Sequence, residues 1–297
     1  MSQDVRFGFV TGLAAYLLWG FMPVYIKSID HLPADLILVH RILWSLPTGL
    51  FFILIARQLP ALKAALKKEH LLWLGISAAL IASNWLVYIW AVSIDRVLEA
   101  SLGYYLNPLL NVVIGAAFLS ERLSKGQWTA VGIAAIGVAI MAIALGRIPL
   151  AGLFLCCTFA FYSVIRKQVP VDSRAGFVVE AAILFPLAAL WLAHLGNSGT
   201  PVAGQSSIDT ILLMAGGPIT AVPLILFALS AKRLRLSTIG MMQYIGPTIQ
   251  FLLGLAYGEA FSPVHAAAFI FIWLALIVFT VDGWRTDTRR RPPQPAE

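Results

Sequence analysis

Charge is scarce in this sequence. Only 12 % of its 297 residues are Asp, Glu, Lys or Arg, whereas a soluble domain carries roughly 25 %. The shortfall extends along the whole chain, so there is too little polar surface to coat a water-soluble globule. Cysteine is almost absent, and the two that occur, Cys156 and Cys157, are neighbours inside an apolar run. That spacing suits neither a zinc site nor a stable structural disulfide and leaves packing as their role. Also missing are a His/Cys/Asp cluster at metal-ligand spacing, a nucleophile motif and a Gly-rich phosphate loop. These absences argue against a metal, a cofactor and a membrane-embedded enzyme. The net charge is +7, but the basic residues fall in short clusters between apolar runs. With no continuous basic face and no recognition motif, nucleic acid is not an expected partner.

Apolar runs fill the rest of the chain. Hydrophobic residues make up 60 % of it and the mean hydropathy is +0.85. A spanning helix needs about 20 mostly apolar residues, and about ten runs qualify. The first is Phe7–Lys27, the fourth Val97–Leu119, the ninth Leu236–Tyr257 and the last Pro263–Val281. They lack the polar face of a soluble bundle and the period-two alternation of a membrane β-barrel. The first run is too long for a signal-peptide core and has no persuasive cleavage site, so it reads as a retained helix.

Lys and Arg set the expected orientation. Loops on one side carry Arg57, Lys63, Lys67, Lys68, Arg122, Lys125, Arg166, Lys167, Arg174, Lys232, Arg233 and Arg235. The other side has Lys27, Arg96 and Arg147. The expectation is a multi-pass protein of the inner (cytoplasmic) membrane with both termini in the cytoplasm. Within Arg57–His70, the leucines Leu59, Leu62 and Leu66 mark a short interfacial helix. The stretch 283–297 is a basic, Pro-rich tail read as disordered.

Sliding the chain by about 140 residues superimposes its punctuation, the signature of an internal repeat. Gly12 falls on Gly152, Lys27 on Lys167, Pro47 on Pro186, Tyr105 on Tyr244, Pro108 on Pro247 and Gly115 on Gly254. Asn111 falls on Gln250, and Glu121 on Glu259 after a one-residue shift. Each unit, 7–145 and 149–282, holds an odd number of helices. The second must therefore start from the opposite side of the membrane. The expected fold is an all-α integral membrane protein of two inverted halves, with the solute site near the midplane where they meet.

Five segments carry a resemblance that spans almost the entire chain. They are Trp19-Gly20-x-x-Pro23-x-Tyr25-x-Lys27, His40-Arg41-x-x-Trp44-Ser45, Asn84-Trp85-x-x-Tyr88, Glu99-Ala100-Ser101-Leu102-Gly103-Tyr104-Tyr105-x-Asn107-Pro108-Leu109 and Gln243-Tyr244-x-Gly246-Pro247-Thr248. The sequence resembles the EamA-domain branch of the drug/metabolite transporter superfamily, and within it the RarD group, which is associated by name with chloramphenicol sensitivity. The resemblance implies a permease of two EamA units that exports or exchanges small molecules. The tail after Trp284 lies outside it.

Ionisable residues inside spanning helices are costly and are the best functional leads. For Arg41 three readings stand: a substrate carboxylate or phosphate, a pair with Glu99, or the outer headgroups. Glu99 is the proton-coupling candidate. Its other readings are favourable placement at a helix N-terminus and a partner for Arg41 or Lys27. Glu180 falls on Arg41 in the repeat and reads as structural, paired with Arg166, Lys167 or Arg174. His40 reads as an interface residue.

The fourth run has a polar and small stripe at Glu99, Gly103, Asn107, Asn111 and Gly115, matched on the ninth by Gln243, Gly246, Gln250 and Gly254. Such stripes either pack helices closely or line a polar cavity. The expected substrate-binding set is Arg41, Asn84, Tyr88, Tyr104, Asn107, Asn111, Gln243, Tyr244 and Gln250. The function read from the sequence is a secondary transporter of a small amphipathic solute, with protons as a candidate coupling ion. The alternatives are a passive facilitator or channel, or a membrane enzyme.

Overall fold

Inside a bilayer every backbone N–H and C=O has to be satisfied within the protein, and a helix does this along its own length. The computed structural model describes residues 3–119, 124–144, 148–199, 201–231, 233–234 and 242–289, and every regular element among them is helical. In order these are α1 (Gln3–Gly20), α2 (Met22–Lys27), α3 (Ala34–Ile55), α4 (Leu59–Ala65), α5 (Lys68–Ser93) and α6 (Val97–Leu119). There follow α7 (Lys125–Ala144), α8 (Leu150–Gln168), α9 (Ser173–Asn197), α10 (Ser207–Ala231), α11 (Ile245–Ala256) and α12 (Pro263–Arg289). Seven of the described helical stretches are long and apolar enough to cross a membrane, and Leu150–Arg166 and Ile245–Ala256 are shorter apolar helices.

The first run is two helices rather than one. It breaks at Phe21, and Pro23 sits in the first turn of α2, where its missing N–H costs nothing. The third begins at Lys68, three residues before its apolar stretch, because Lys68, Glu69 and His70 form the solvated first turn of α5. The short helix expected after Arg57 is present as α4. Its Leu62 packs beside Phe177 and Val178, while Leu59 and Leu66 stay exposed. The tail expected to be disordered from 283 continues α12 as helix to Arg289; residues before 242 in the ninth run, Glu121 and residues 290–297 lie outside the described residues.

Large apolar side chains point outward over most of the surface, including Ile143, Leu190 and Ile211. Such a surface requires lipid around it. Inside, the helices of the two sequence halves interleave. Helix α8 packs on α6 and α5; α10 packs on α1 and α3; α9 packs on α3 and α5; α11 packs on α1 and α6; and α12 packs on α7. Aromatic rings tie α11 to α12, with Phe251 and Phe269 centroids 4.5 Å apart. Cys156 is buried in the same cluster of side chains and Cys157 is exposed.

Small residues set the closest crossings. A side chain on Gly103 of α6 would collide with the Gly152 carbonyl of α8, and one on Gly217 of α10 would collide with the Trp44 backbone of α3. Charges fasten the helix ends. Lys27 reaches Asp95 at 2.6 Å and Asp30 at 3.2 Å. Asp95 makes the α5–α6 turn with φ 57°, a left-handed conformation that aspartate tolerates. Glu259, between α11 and α12, accepts the amides of Val97 and Leu98 and so caps α6. Burial raises the Glu259 carboxyl above its usual range despite the opposing pull of those two amides.

The Gly103–Gly152 crossing makes a direct prediction. Gly103→Val forces α6 away from α8 and destabilises the detergent-solubilised protein by about 1–3 kcal/mol, the usual cost of overpacking. The check is its thermal unfolding midpoint. A midpoint equal to that of the native chain would show that this backbone contact carries no constraint.

Candidate functional site

Arg41 is the one Lys, Arg, Asp or Glu in the middle of α3, where His40, Ser45 and Thr48 are the other polar residues. The side chain is 3 % exposed. It extends to α10, where Nε donates to Thr220 Oγ1 at 2.5 Å. The guanidinium carbon lies 4.8 Å from the centre of the Trp85 ring on α5, a cation–π arrangement. Among the described residues no carboxylate pairs with Arg41, and its Nη1 has no hydrogen-bond partner. Gly216, one turn before Thr220, leaves room for the Tyr25 hydroxyl, which a side chain there would strike. The phenols of Tyr25, Tyr88 and Tyr104 lie within electrostatic reach of the guanidinium. Of the sequence readings for Arg41, pairing with Glu99 is not what the geometry provides. Glu99 Oε1 accepts the Ala151 amide at 3.1 Å and caps the neighbouring helix α8. Lys27 is committed to Asp30 and Asp95.

Four of the expected substrate residues come together here. Asn84 is one turn from Tyr88 on α5. Asn84 Nδ2 donates to the Leu155 carbonyl at 2.9 Å and to Thr158 Oγ1 at 2.8 Å, tying α5 to α8. Asn84 Oδ1 accepts from the Tyr104 hydroxyl of α6 at 3.3 Å. The Tyr88 and Tyr104 rings are 5.7 Å apart, and the buried Tyr88 hydroxyl has no partner among the described residues. Arg41, Asn84, Tyr88 and Tyr104 thus form one aromatic, cationic group where α3, α5, α6 and α10 meet.

The remaining expected residues are more dispersed. Asn107 is buried on α6, with Oδ1 unpartnered among the described residues. The Asn111 side chain lies outside the described residues. Gln250 is buried on α11 and donates to the Trp19 carbonyl at 3.0 Å, which joins α11 to α1. Gln243 is half-buried in the turn before α11. Tyr244 lines an open groove with Tyr105, Thr248 and Trp273 on the α11–α12 side. His40 Nε2 donates to the Val202 carbonyl at 2.7 Å and so anchors the α9–α10 loop.

A second buried charge sits in the other sequence half. Glu180 on α9 is 3 % exposed. Ser77 of α5 donates to its Oε1, the Tyr162 phenol of α8 lies beside it, and Arg166 Nη1 stands 3.6 Å away. A small cavity beside it is bordered by Ser45, Trp85 and Tyr162. Trp85 therefore stands between the Arg41 and Glu180 groups. Thr220 and Ser77, the hydroxyls that reach these charges, were missed in the sequence. A signal was there for Thr220, which sits between Pro218 and Pro223; Ser77 is one of three serines on α5 and carries no such mark. Among the described residues no group of His, Cys, Asp and Glu is placed to hold a metal ion.

Comparison with known proteins places this architecture. Residues 6–143 match the EamA-like transporter family. The chain is 42 % identical over 291 residues to Protein RarD of Escherichia coli (strain K12), covering 97 % of this chain and 98 % of that one. It is 40 % identical to an uncharacterized transporter of Vibrio cholerae, covering 98 % of this chain and 97 % of the relative. Identity to the Chloramphenicol-sensitive protein RarD of Pseudomonas aeruginosa is 31 %, with 93 % of each chain covered. A solved crystal structure of a protein shares the fold at TM-score 0.61 and 24 % identity, covering 92 % of this chain and 97 % of its own. The chain is a multi-pass membrane protein that belongs to the EamA-like transporter family, as a RarD-like permease.

Proposed function

We propose that this protein is a secondary transporter that exports or exchanges a small amphipathic solute bearing an anionic group, held at Arg41. The observation that carries the reading is a buried guanidinium with no carboxylate partner and an unpartnered Nη1 among the described residues. An unpaired charge inside a bundle costs several kcal/mol, roughly, after relaxation. A site that binds an incoming carboxylate or phosphate recovers that cost at the moment of binding. The planar fork of arginine suits such groups. The rings of Trp85, Tyr88 and Tyr104 offer faces for the apolar part of the solute. The names of the relatives support transport.

The proposed architecture is about ten spanning helices in two inverted halves, 7–145 and 149–282, that rock around the Arg41 group. Pairing the first half, in order, with the second makes α1, α3, α5, α6 and α7 the counterparts of α8, α9, α10, α11 and α12. Under that exchange the α6–α8 contact becomes α11–α1, and α10–α3 becomes α5–α9. Likewise α1–α10 becomes α8–α5, while α3–α9, α6–α11 and α7–α12 map onto themselves. Single residues follow the same exchange. Arg41 reaches α10 and its counterpart Glu180 reaches α5, each crossing into the opposite half. Gly152 abuts the Gly103 backbone, and Gly12 lies against Ser230 and then the side chain of Met242, the residue at the matching level. The uneven Lys and Arg distribution supports cytoplasmic termini in the inner membrane.

Purified protein screened by thermal shift against carboxylates, phosphates and their neutral analogues tests the reading. Arg41→Gln weakens anionic ligands about tenfold or more, as expected for loss of a charge-assisted hydrogen bond. Arg41→Lys weakens them less, and neutral analogues change little in either variant. Equal losses for anions and neutral analogues would assign Arg41 to packing and overturn the proposed site.

A further inference from the structure

Glu180 is placed differently from a charge that merely locks two helices. A locking pair is close, with parallel hydrogen bonds from the guanidinium to the carboxylate. Here the nearest approach is 3.6 Å, and Arg166 Nη1 makes no hydrogen bond among the described residues. The Arg166 hydrogen bond goes elsewhere: Nη2 donates to the Ser173 carbonyl at 3.0 Å. Two hydroxyls, Ser77 and Tyr162, attend the carboxylate. Arg166 is therefore a neighbouring charge that biases Glu180 without holding it.

The surroundings of Glu180 are built for this arrangement. Gly176 lies one helical turn before Glu180 on α9, and any side chain there would collide with the Arg166 guanidinium. The cavity at Glu180 offers about 10 Å³ of room for the centre of a water molecule, enough for a single water. Among the described residues Arg166 is the only charged group that acts on Glu180, and the cavity beside it is lined by Ile42 and Ser45 of α3, Ile81 and Trp85 of α5 and Leu224 of α10. Helix α4 packs Ala61 and Leu62 against this part of α9. Arg166, unlike Glu180, is partly exposed, at 14 % of its side chain, where α8 ends.

We infer that Glu180, with Arg166 as its internal counter-cation, is a proton-binding site that switches the contact between α8 and α9. In the ionised state the carboxylate attracts Arg166 and accepts from Ser77, with the Tyr162 phenol beside it. A hydronium ion reaching the carboxylate gives up its proton, which leaves water and the neutral acid. The ion–ion attraction is then lost, Arg166 is released from α9 toward the aqueous end of α8, and one hydroxyl of the pair turns to accept from the acid. Loss of the proton to water reverses each change. This inference assigns the intramembrane proton site to Glu180 rather than to Glu99, whose Oε1 caps α8.

The test needs no solute, so its outcome is independent of the Arg41 reading. Wild-type protein in lipid nanodiscs is titrated with acid while the infrared carbonyl stretch of protonated carboxylic acids is followed. Glu180→Gln is expected to remove one titrating band and Glu99→Gln to leave that band in place. Arg166→Gln is expected to move its midpoint about 1–3 pH units higher, the influence of a nearby opposite charge. Ser77→Ala, a milder change, moves it in the same direction and serves if the charge variants do not fold. Hydrogen exchange across residues 163–172, corrected for intrinsic rates, is expected to quicken below the midpoint in the wild type. In Glu180→Gln it is fast at every pH. A titrating band that survives in Glu180→Gln, a midpoint unmoved by both Arg166→Gln and Ser77→Ala, or pH-independent exchange in the wild type would each overturn the inference.

Discussion

A charge inside an apolar helix bundle has to be met by other groups of the protein, and this requirement organises the centre of the molecule. Arg41 and Glu180 are both almost wholly buried. Neither is met within its own helix. Arg41 crosses to Thr220 and to the face of Trp85, and Glu180 crosses to Ser77, Tyr162 and Arg166. Because each reaches an element of the opposite sequence half, the two charges hold the halves in register. Arg41 keeps Nη1 without a hydrogen-bond partner among the described residues, and Glu180 keeps its nearest cation at 3.6 Å.

The polar groups around them differ in what they do. Asn84 uses both ends of its amide, on α8 and on Tyr104, and is a clamp as much as a lining residue. Gln250 spends its amide nitrogen on the Trp19 carbonyl and joins α11 to α1. By contrast, the Tyr88 hydroxyl, Asn107 Oδ1 and Arg41 Nη1 have no partner among the described residues. Of these, Arg41 Nη1 and the Tyr88 hydroxyl belong to the group proposed to receive the solute. Close crossings at Gly103 and Gly217 bring the backbones near enough for short polar side chains to bridge them.

Much of the fold was legible before any coordinates. Hydropathy located the apolar helices, since a run of some twenty apolar residues has few other uses. The short helix after Arg57 could be seen in three leucines. Boundaries were less legible: the break at Phe21 is invisible to hydropathy, because both sides of it are equally apolar. For the site, charge was the guide. Arg41, Asn84, Tyr88 and Tyr104 were singled out one by one and the fold brings them together. Tyr244 was grouped with them by its repeat partner, yet it lines a groove on the α11–α12 side. Sequence periodicity shows which face of a helix is polar, but not which neighbour that face meets. The same limit hid Thr220 and Ser77, whose importance comes only from the charges opposite them. It also concealed the role of Glu99, whose carboxylate serves a helix N-terminus distant in sequence.

The claim on which the account turns is that Arg41 and Glu180 occupy matching levels of inverted halves and so face opposite sides of the membrane. In a background with Cys156 and Cys157 replaced by alanine, Thr220→Cys and Ser77→Cys report those two levels directly. Labelling with a membrane-impermeant thiol reagent, applied from each side of sealed vesicles, is the measurement. The account predicts that Thr220→Cys reacts from outside and Ser77→Cys from the cytoplasmic side. Reaction of both from the same side would contradict it.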